Sequence, residues 1–152
     1  NPLPHLNAAH PNFEASLPLL LASAVAIENF SSEVEEANLR ARKFNSELRE
    51  GFAQIPDVDI AGSLDSSLPH LLSASFLNCN GEELLRGIQG DGFSVDSGSA
   101  CTADNLEPSH VLAAMGVLTH GNIRITIHPD ATQSEIDGLI SSVKNNVERL
   151  RA

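Results

Sequence analysis

Residues 122–150 constrain the fold of this chain more than any other stretch. "NIRITIH" alternates, with Ile123, Ile125 and Ile127 on one face and Arg124 and Thr126 on the other, the period of a half-buried strand. Directly behind it the period becomes helical. Thr132 and Glu135 stand at capping-box spacing, and Ile136, Leu139, Ile140, Val143, Val147 and Leu150 form a single stripe. A strand apolar on one side and a helix apolar on one side bury each other. The result is a sheet covered by helices mainly on one side, with Arg124 on the opposite face.

The rest of the chain extends this pattern. Residues 1–12 carry three prolines and no period, and read as an irregular arm. A helix is expected over Phe13–Asn29, broadly apolar through Leu17, Leu20, Leu21, Ala24, Val25 and Ile27. Ser32, at capping-box spacing from Glu35, opens a second helix with a stripe of Val34, Ala37, Ala41, Phe44 and Leu48. Two strands follow, "DVDIAG" and "LLSASFLN", the second with Leu72, Ala74 and Phe76 on one face. "GEELLRGIQGDG" is a short helix, "FSVD" a short strand, and Glu107–Gly116 a helix with Pro108 in its first turn. The order α, α, β, β, α, β, α, β, α indicates an α/β (α+β) class with a small mixed or antiparallel sheet. Residues 13–152 are expected to form one domain. The chain opens at Asn1 without a methionine, so it is expected to be a piece of a larger protein.

Composition excludes several function classes. A net charge of −11 opposes binding to nucleic acid or to an anionic membrane, both of which require a basic surface. "LPLLLASAVAI" is shorter than the roughly 20 residues of a span and contains Pro18, so no membrane segment is expected. Two cysteines, Cys79 and Cys101, make no disulfide framework and suit a reducing cytoplasm. His5, His10, His70, His110, His120 and His128 show no metal-ligand spacing, and no metal site is expected.

Two residues are candidates for chemistry. Cys101 stands in "SVDSGSACTADN", among Ser97, Gly98, Ser99, Ala100, Thr102 and Ala103, not the large apolar neighbours of a buried thiol. It is either a nucleophile on an accessible loop or an inert surface thiol. Four residues past Ser97, its reach is on the order of 13 Å at 3.3–3.6 Å per extended residue. Arg124 lies in the middle of an otherwise apolar strand. It either receives an anion, for which a carboxylate suits the planar fork, or lies on the solvent face of a half-covered sheet, free in water or paired to a neighbouring acid.

"SGSACT", "LEPSHVLAAMG", "NIRITI" and "TQSEIDGLISSV" stand in the order and spacing of the cysteine desulfurases, pyridoxal-phosphate enzymes of the class V aminotransferase group. "LPHLLSASFLNCNGEELL" and "LPLLLASAVAIENF" resemble the preceding strand and helix and the interdomain helix of that family. The resemblance covers about residues 13–152 and implies the C-terminal small domain of the fold. It implies that Cys101 is the catalytic thiol, taking sulfur from L-cysteine as a persulfide and releasing L-alanine. Arg124 then binds the substrate carboxylate. An iron–sulfur scaffold or another sulfur acceptor is the implied partner, and the whole enzyme is implied to be a homodimer in the cytoplasm. A selenocysteine lyase of the same group and a non-catalytic thiol-bearing module are the alternatives. The family lysine that anchors pyridoxal phosphate has no counterpart, since Lys43 and Lys144 lack its context. No covalently bound cofactor is therefore expected on these residues, and the piece alone is expected to be inactive. Asp96 stands where the family has a small hydroxyl residue, and "HPDAT" replaces its Gly-Arg-aromatic-Thr run.

Overall fold

The sheet that carries Arg124 is antiparallel and three-stranded in the computed structural model, which describes residues 16–97 and 109–152. The elements are α1 (Leu17–Phe52), β1 (Val58–Ile60), β2 (Leu71–Phe76), α2 (Gly81–Gly90), α3 (His110–Ala114), β3 (Asn122–Thr126) and α4 (Gln133–Arg151). The chain divides into two compact units, Asn1–Glu35 and Glu36–Ala152. The arm at residues 1–12 lies outside the described residues.

The described part of the first unit is the N-terminal section of α1. The two helices expected between Phe13 and Leu48 are one helix of 36 residues. Ser31 and Ser32 do not stop it. Their hydroxyls donate back to the carbonyls of Ile27 and Asn29, both at 2.7 Å, so Ser32 does not cap and forms no box with Glu35. Pro18 falls in the first turn, where a missing N–H leaves nothing unpaired. The apolar run is thus longer than its sequence boundaries suggest. An 18-residue window reaches a mean hydropathy of 1.2, so the helix, unlike the stretch Leu17–Ile27 taken alone, is long and apolar enough for a span by length and composition only. Leu17, Leu19, Leu20, Leu21, Val25, Ile27 and Phe30 are all exposed.

The second unit holds the core. Strand order is β1-β2-β3, each pair antiparallel, with Ser73 opposite Arg124. Leu72, Ala74 and Phe76 of β2 and Ile123 and Ile125 of β3 are buried on one face, as their alternation predicts. Against them pack Phe44, Leu48 and Phe52 of α1, Leu84 and Ile88 of α2, and Ile136, Leu139, Val143 and Val147 of α4. Phe52 and Phe76 meet edge to face, with centroids 5.9 Å apart. Cys79 is buried in the same core.

Local chemistry sets the element ends. The Thr132–Glu135 capping box is present on α4 as predicted. Asn80 caps α2, its Oδ1 accepting from the Glu82 and Glu83 N–H groups. The expected helix from Glu107 begins at His110, because Ser109 is the N-cap and its Oγ accepts from the Leu112 N–H; Glu107 and Pro108 lie outside the described residues. The expected strand Phe93–Asp96 is reduced to one bridge, Asp96 to Arg124. Its first residue is held elsewhere: the Phe93 N–H returns to the Ile88 carbonyl, and the ring packs on the core. Gly121, with φ +63, turns the chain into β3, and its carbonyl accepts from the Phe76 N–H at 3.1 Å.

Candidate functional site

The face of the sheet away from the core is polar. Asn122 Nδ2 donates to Ser73 Oγ (2.9 Å), Ser75 Oγ (2.9 Å) and the Ala74 carbonyl (3.2 Å), tying β3 to β2 by side chains as well as by the ladder. Ser75 Oγ donates to the Leu118 carbonyl at 2.7 Å, and the Leu118 N–H donates to Asp59 Oδ2 at 2.9 Å. The segment after α3 is thereby fastened to β1 and β2.

Arg124 extends from this face two residues beyond Asn122, with its side chain half exposed at 51%. Backbone bonds join it to Asp96: the Asp96 N–H donates to the Arg124 carbonyl (2.9 Å), and the Arg124 N–H to the Asp96 carbonyl (2.7 Å). The two side chains form an ion pair, Arg124 Nη2 donating to Asp96 Oδ2. Asp96 Oδ1 accepts from the Ser97 N–H at 2.9 Å. Both readings of Arg124 thus meet in one place, because the guanidinium holds a carboxylate and that carboxylate belongs to the chain itself. Sequence reasoning missed Asp96 as a partner. Its signal was the acid at the end of "FSVD", which acquires meaning only once that segment is known to pair with β3.

Cys101 lies outside the described residues. Ser97, the last described residue before it, is buried. A cleft of about 490 Å³ opens beside the C-terminal half of β3, between Phe93, Ser94, Ile127, His128 and Glu135; Arg124 is not among its walls. His128 Nδ1 accepts there from the Asp130 N–H at 3.3 Å. Among the described residues no group of three His, Cys, Asp or Glu side chains is placed to hold a metal ion.

The chain's two lysines test whether it can anchor pyridoxal phosphate. Lys43 lies exposed on α1, bonded to Gln133 Oε1 (3.2 Å) and paired with Glu47 (3.6 Å), and Lys144 is exposed on α4. Neither lines the cleft. These residues do not fit a covalent cofactor site.

Comparison with known proteins decides the family. Residues 6–139 match the family model described as aminotransferase class-V. The chain belongs to the class-V aminotransferase family. Among class-V relatives, a protein named cysteine desulfurase IscS from Methylococcus capsulatus is 40% identical over 122 residues, 78% of this chain and 30% of the relative. A cysteine desulfurase from a Nostoc species is 41% identical over 103 residues, 66% of this chain and 26% of the relative. The chain therefore spans about a third or less of the length of these curated relatives. A solved structure named NifS-like protein superposes with a TM-score of 0.73 at 29% identity, covering 89% of this chain and 34% of that one. A NifS-like protein from Rickettsia africae gives 0.65 at 22% identity and supports the fold alone. The expected α/β class-V architecture, with a small antiparallel sheet and helices on its apolar face, is what the structure has.

Proposed function

We propose that residues 13–152 are the C-terminal small domain of a cysteine desulfurase, in which Cys101 collects the sulfur of L-cysteine and Arg124 holds the substrate carboxylate. The observation that carries the reading is the 40% identity to a protein named cysteine desulfurase. Cys101 and Arg124 both fall within the family match at residues 6–139. The overall exchange balances without an outside oxidant. The substrate C–S bond breaks, an S–S bond forms on Cys101, and the two thiol hydrogens end on the persulfide and on the alanine methyl group. Only a thiolate attacks sulfur in this way, which favours an accessible cysteine among small residues.

Arg124 contributes position. Its backbone is fixed by the β2–β3 ladder and the Asp96 bridge, so its fork presents donors from a defined point to a planar carboxylate. Because Lys43 and Lys144 do not fit an anchor, we infer that the lysine that would hold pyridoxal phosphate is not among these 152 residues. In this reading the exposed apolar side of α1 before Glu36 packs on protein and does not span a bilayer. The whole enzyme is a cytoplasmic homodimer that passes its persulfide to an acceptor such as an iron–sulfur scaffold.

The test uses the full-length enzyme. Cys101→Ala abolishes persulfide formation while the cofactor absorbance stays; normal sulfide and alanine production by this variant refutes the role of Cys101. Arg124→Ala raises KM for L-cysteine about 10- to 100-fold, the value of a lost charge-assisted hydrogen bond. An unchanged KM refutes carboxylate binding.

A further inference from the structure

We propose that Asp96 is an internal competitor for the carboxylate site on Arg124, so that a substrate carboxylate arrives by exchange with Asp96 and not by addition to a free cation. The inference rests on the assignment of Arg124 to the substrate carboxylate.

Four features of the site support it. The two backbone bonds at 2.9 and 2.7 Å hold residue 96 directly opposite residue 124, which keeps their side chains on the same face of the ladder. Asp96 Oδ2 accepts from Arg124 Nη2, so the anion on the guanidinium is a carboxylate, the same group that an amino-acid substrate presents. Asp96 Oδ1 keeps the Ser97 N–H at 2.9 Å and the backbone bridge is independent of the side chains, so Arg124 can turn to another carboxylate while residue 96 stays in place. Both side chains are half exposed, at 51% and 50%, so water reaches each partner once they separate.

Charge makes the two carboxylates exclusive. With Asp96 on the guanidinium the pair is neutral, and a second carboxylate would meet a like charge at contact distance. Among the described residues no other ion pair involves Asp96 or Arg124. One carboxylate therefore leaves as the other binds. A solvent-reached pair of this kind lowers the apparent affinity for the incoming carboxylate by about two- to fivefold. Asp96 thereby sets the concentration range over which a substrate held by its carboxylate is bound. It has no such effect on a ligand that lacks one.

The experiment uses the full-length holoenzyme with Asp96→Asn, Asp96→Ser and Asp96→Glu. Asparagine keeps the length and an oxygen for the Ser97 N–H but loses the charge, serine loses both charge and length, and glutamate keeps the charge. Two quantities are measured: KM for L-cysteine, and the dissociation constant of L-alanine by calorimetry, which needs no turnover. Asp96→Asn and Asp96→Ser lower both about two- to fivefold, and Asp96→Glu stays nearer to wild type. Binding of cysteamine, which carries the thiol and the amine without the carboxylate, is the same in all forms. Unchanged or weaker L-alanine binding in both uncharged variants overturns the inference, as does equal tightening of cysteamine. If Arg124→Ala also leaves L-alanine binding unchanged, the assignment of Arg124 falls and Asp96 with it. If Arg124→Ala weakens binding while the uncharged Asp96 variants do not tighten it, only the inference about Asp96 is overturned.

Discussion

Gly121 is where β3, and hence Arg124, is joined to β2, and Gly121→Ala should damage that junction in two separable ways. The first cost is conformational. At φ +63 an alanine sits in the left-handed region, at about 1–2 kcal/mol. The second is steric: a Cβ there would lie 2.2 Å from the Phe76 carbonyl oxygen and 3.0 Å from that of Cys79. Those oxygens are backbone and cannot swing away, so the turn must move and strain the Phe76 N–H bond to the Gly121 carbonyl. We expect about 1–3 kcal/mol more from this, the range of overpacking at a rigid site. Gly116 is the internal control, because its φ is +71 but nothing lies within 4 Å of its would-be Cβ. Gly116→Ala should therefore report the conformational cost alone. In urea denaturation, with a slope of about 2 kcal/mol/M, Gly116→Ala lowers the midpoint by about 0.5–1 M and Gly121→Ala by about 1–2.5 M. Equal midpoints for the two variants would refute the steric argument and the position of Gly121 against β2.

Two further perturbations test the frame around the site. Glu135 accepts from the Thr132 N–H and hydroxyl, both at 2.8 Å, and these bonds hold its carboxyl below the ordinary value of 4.5. The unfolded chain therefore takes up the proton first as pH falls. The capping contribution is complete at neutral pH and is lost as pH drops below 4.5 through the folded value. Glu135→Gln should lower the thermal midpoint at pH 7 and converge with wild type in acid; a gap that persists at low pH would show that the charge is not responsible. Asn45 is fully buried and donates to the Pro69 (3.0 Å) and Leu71 (2.9 Å) carbonyls while accepting from Arg49 Nε (2.8 Å). Burial already pushes the Arg49 guanidinium below its usual pKa. Asn45→Leu removes this partner from both carbonyls and from Arg49 Nε, whose Nη groups keep the Gly62 and Ala61 carbonyls, and should cost about 2–4 kcal/mol in chemical denaturation; a loss under 1 kcal/mol would mean the loop before β2 finds other donors.

Legibility in the sequence follows the range over which a residue's reason acts. Ile123, Ile125 and Ile127, the Leu72-Ala74-Phe76 face and the α4 stripe were readable because a period of 2 or 3.6 is local. The Thr132–Glu135 box was readable for the same reason, and its counterpart at Ser32 shows the limit. Three residues of spacing permit a cap, but the hydroxyl found a carbonyl of its own helix and α1 continued. Asn45, Ser142 and Asn146 were not readable at all. They lie within or beside apolar stripes, and the partners that make their burial tolerable are distant: Pro69 and Leu71 for the first, Asp91 Oδ2 for the other two at 2.6 and 2.8 Å. Asp96 belongs with them, since its role depends on a pairing 28 residues away. For Cys101 the residues around it and the family resemblance carry the whole case.

The division of the sheet into two faces explains why Arg124 can serve as an exchange site. Its neighbours on the polar face are immobilised by one another, Asn122 being shared among three acceptors on β2 and Ser75 reaching across to Leu118. On the other face Ile123 and Ile125 are locked into the core beneath α2 and α4. The backbone of residue 124 is therefore fixed from both sides, while its guanidinium is half in water and bound to a carboxylate equally exposed. Fixing the base costs a ligand nothing, because folding has already ordered it. The exposed tip keeps the resident carboxylate weakly held, whereas a buried pair would cost several kcal/mol to break. Moving Arg124 one position along β3 would lose this combination, since residues 123 and 125 point into the core and would bury the charge.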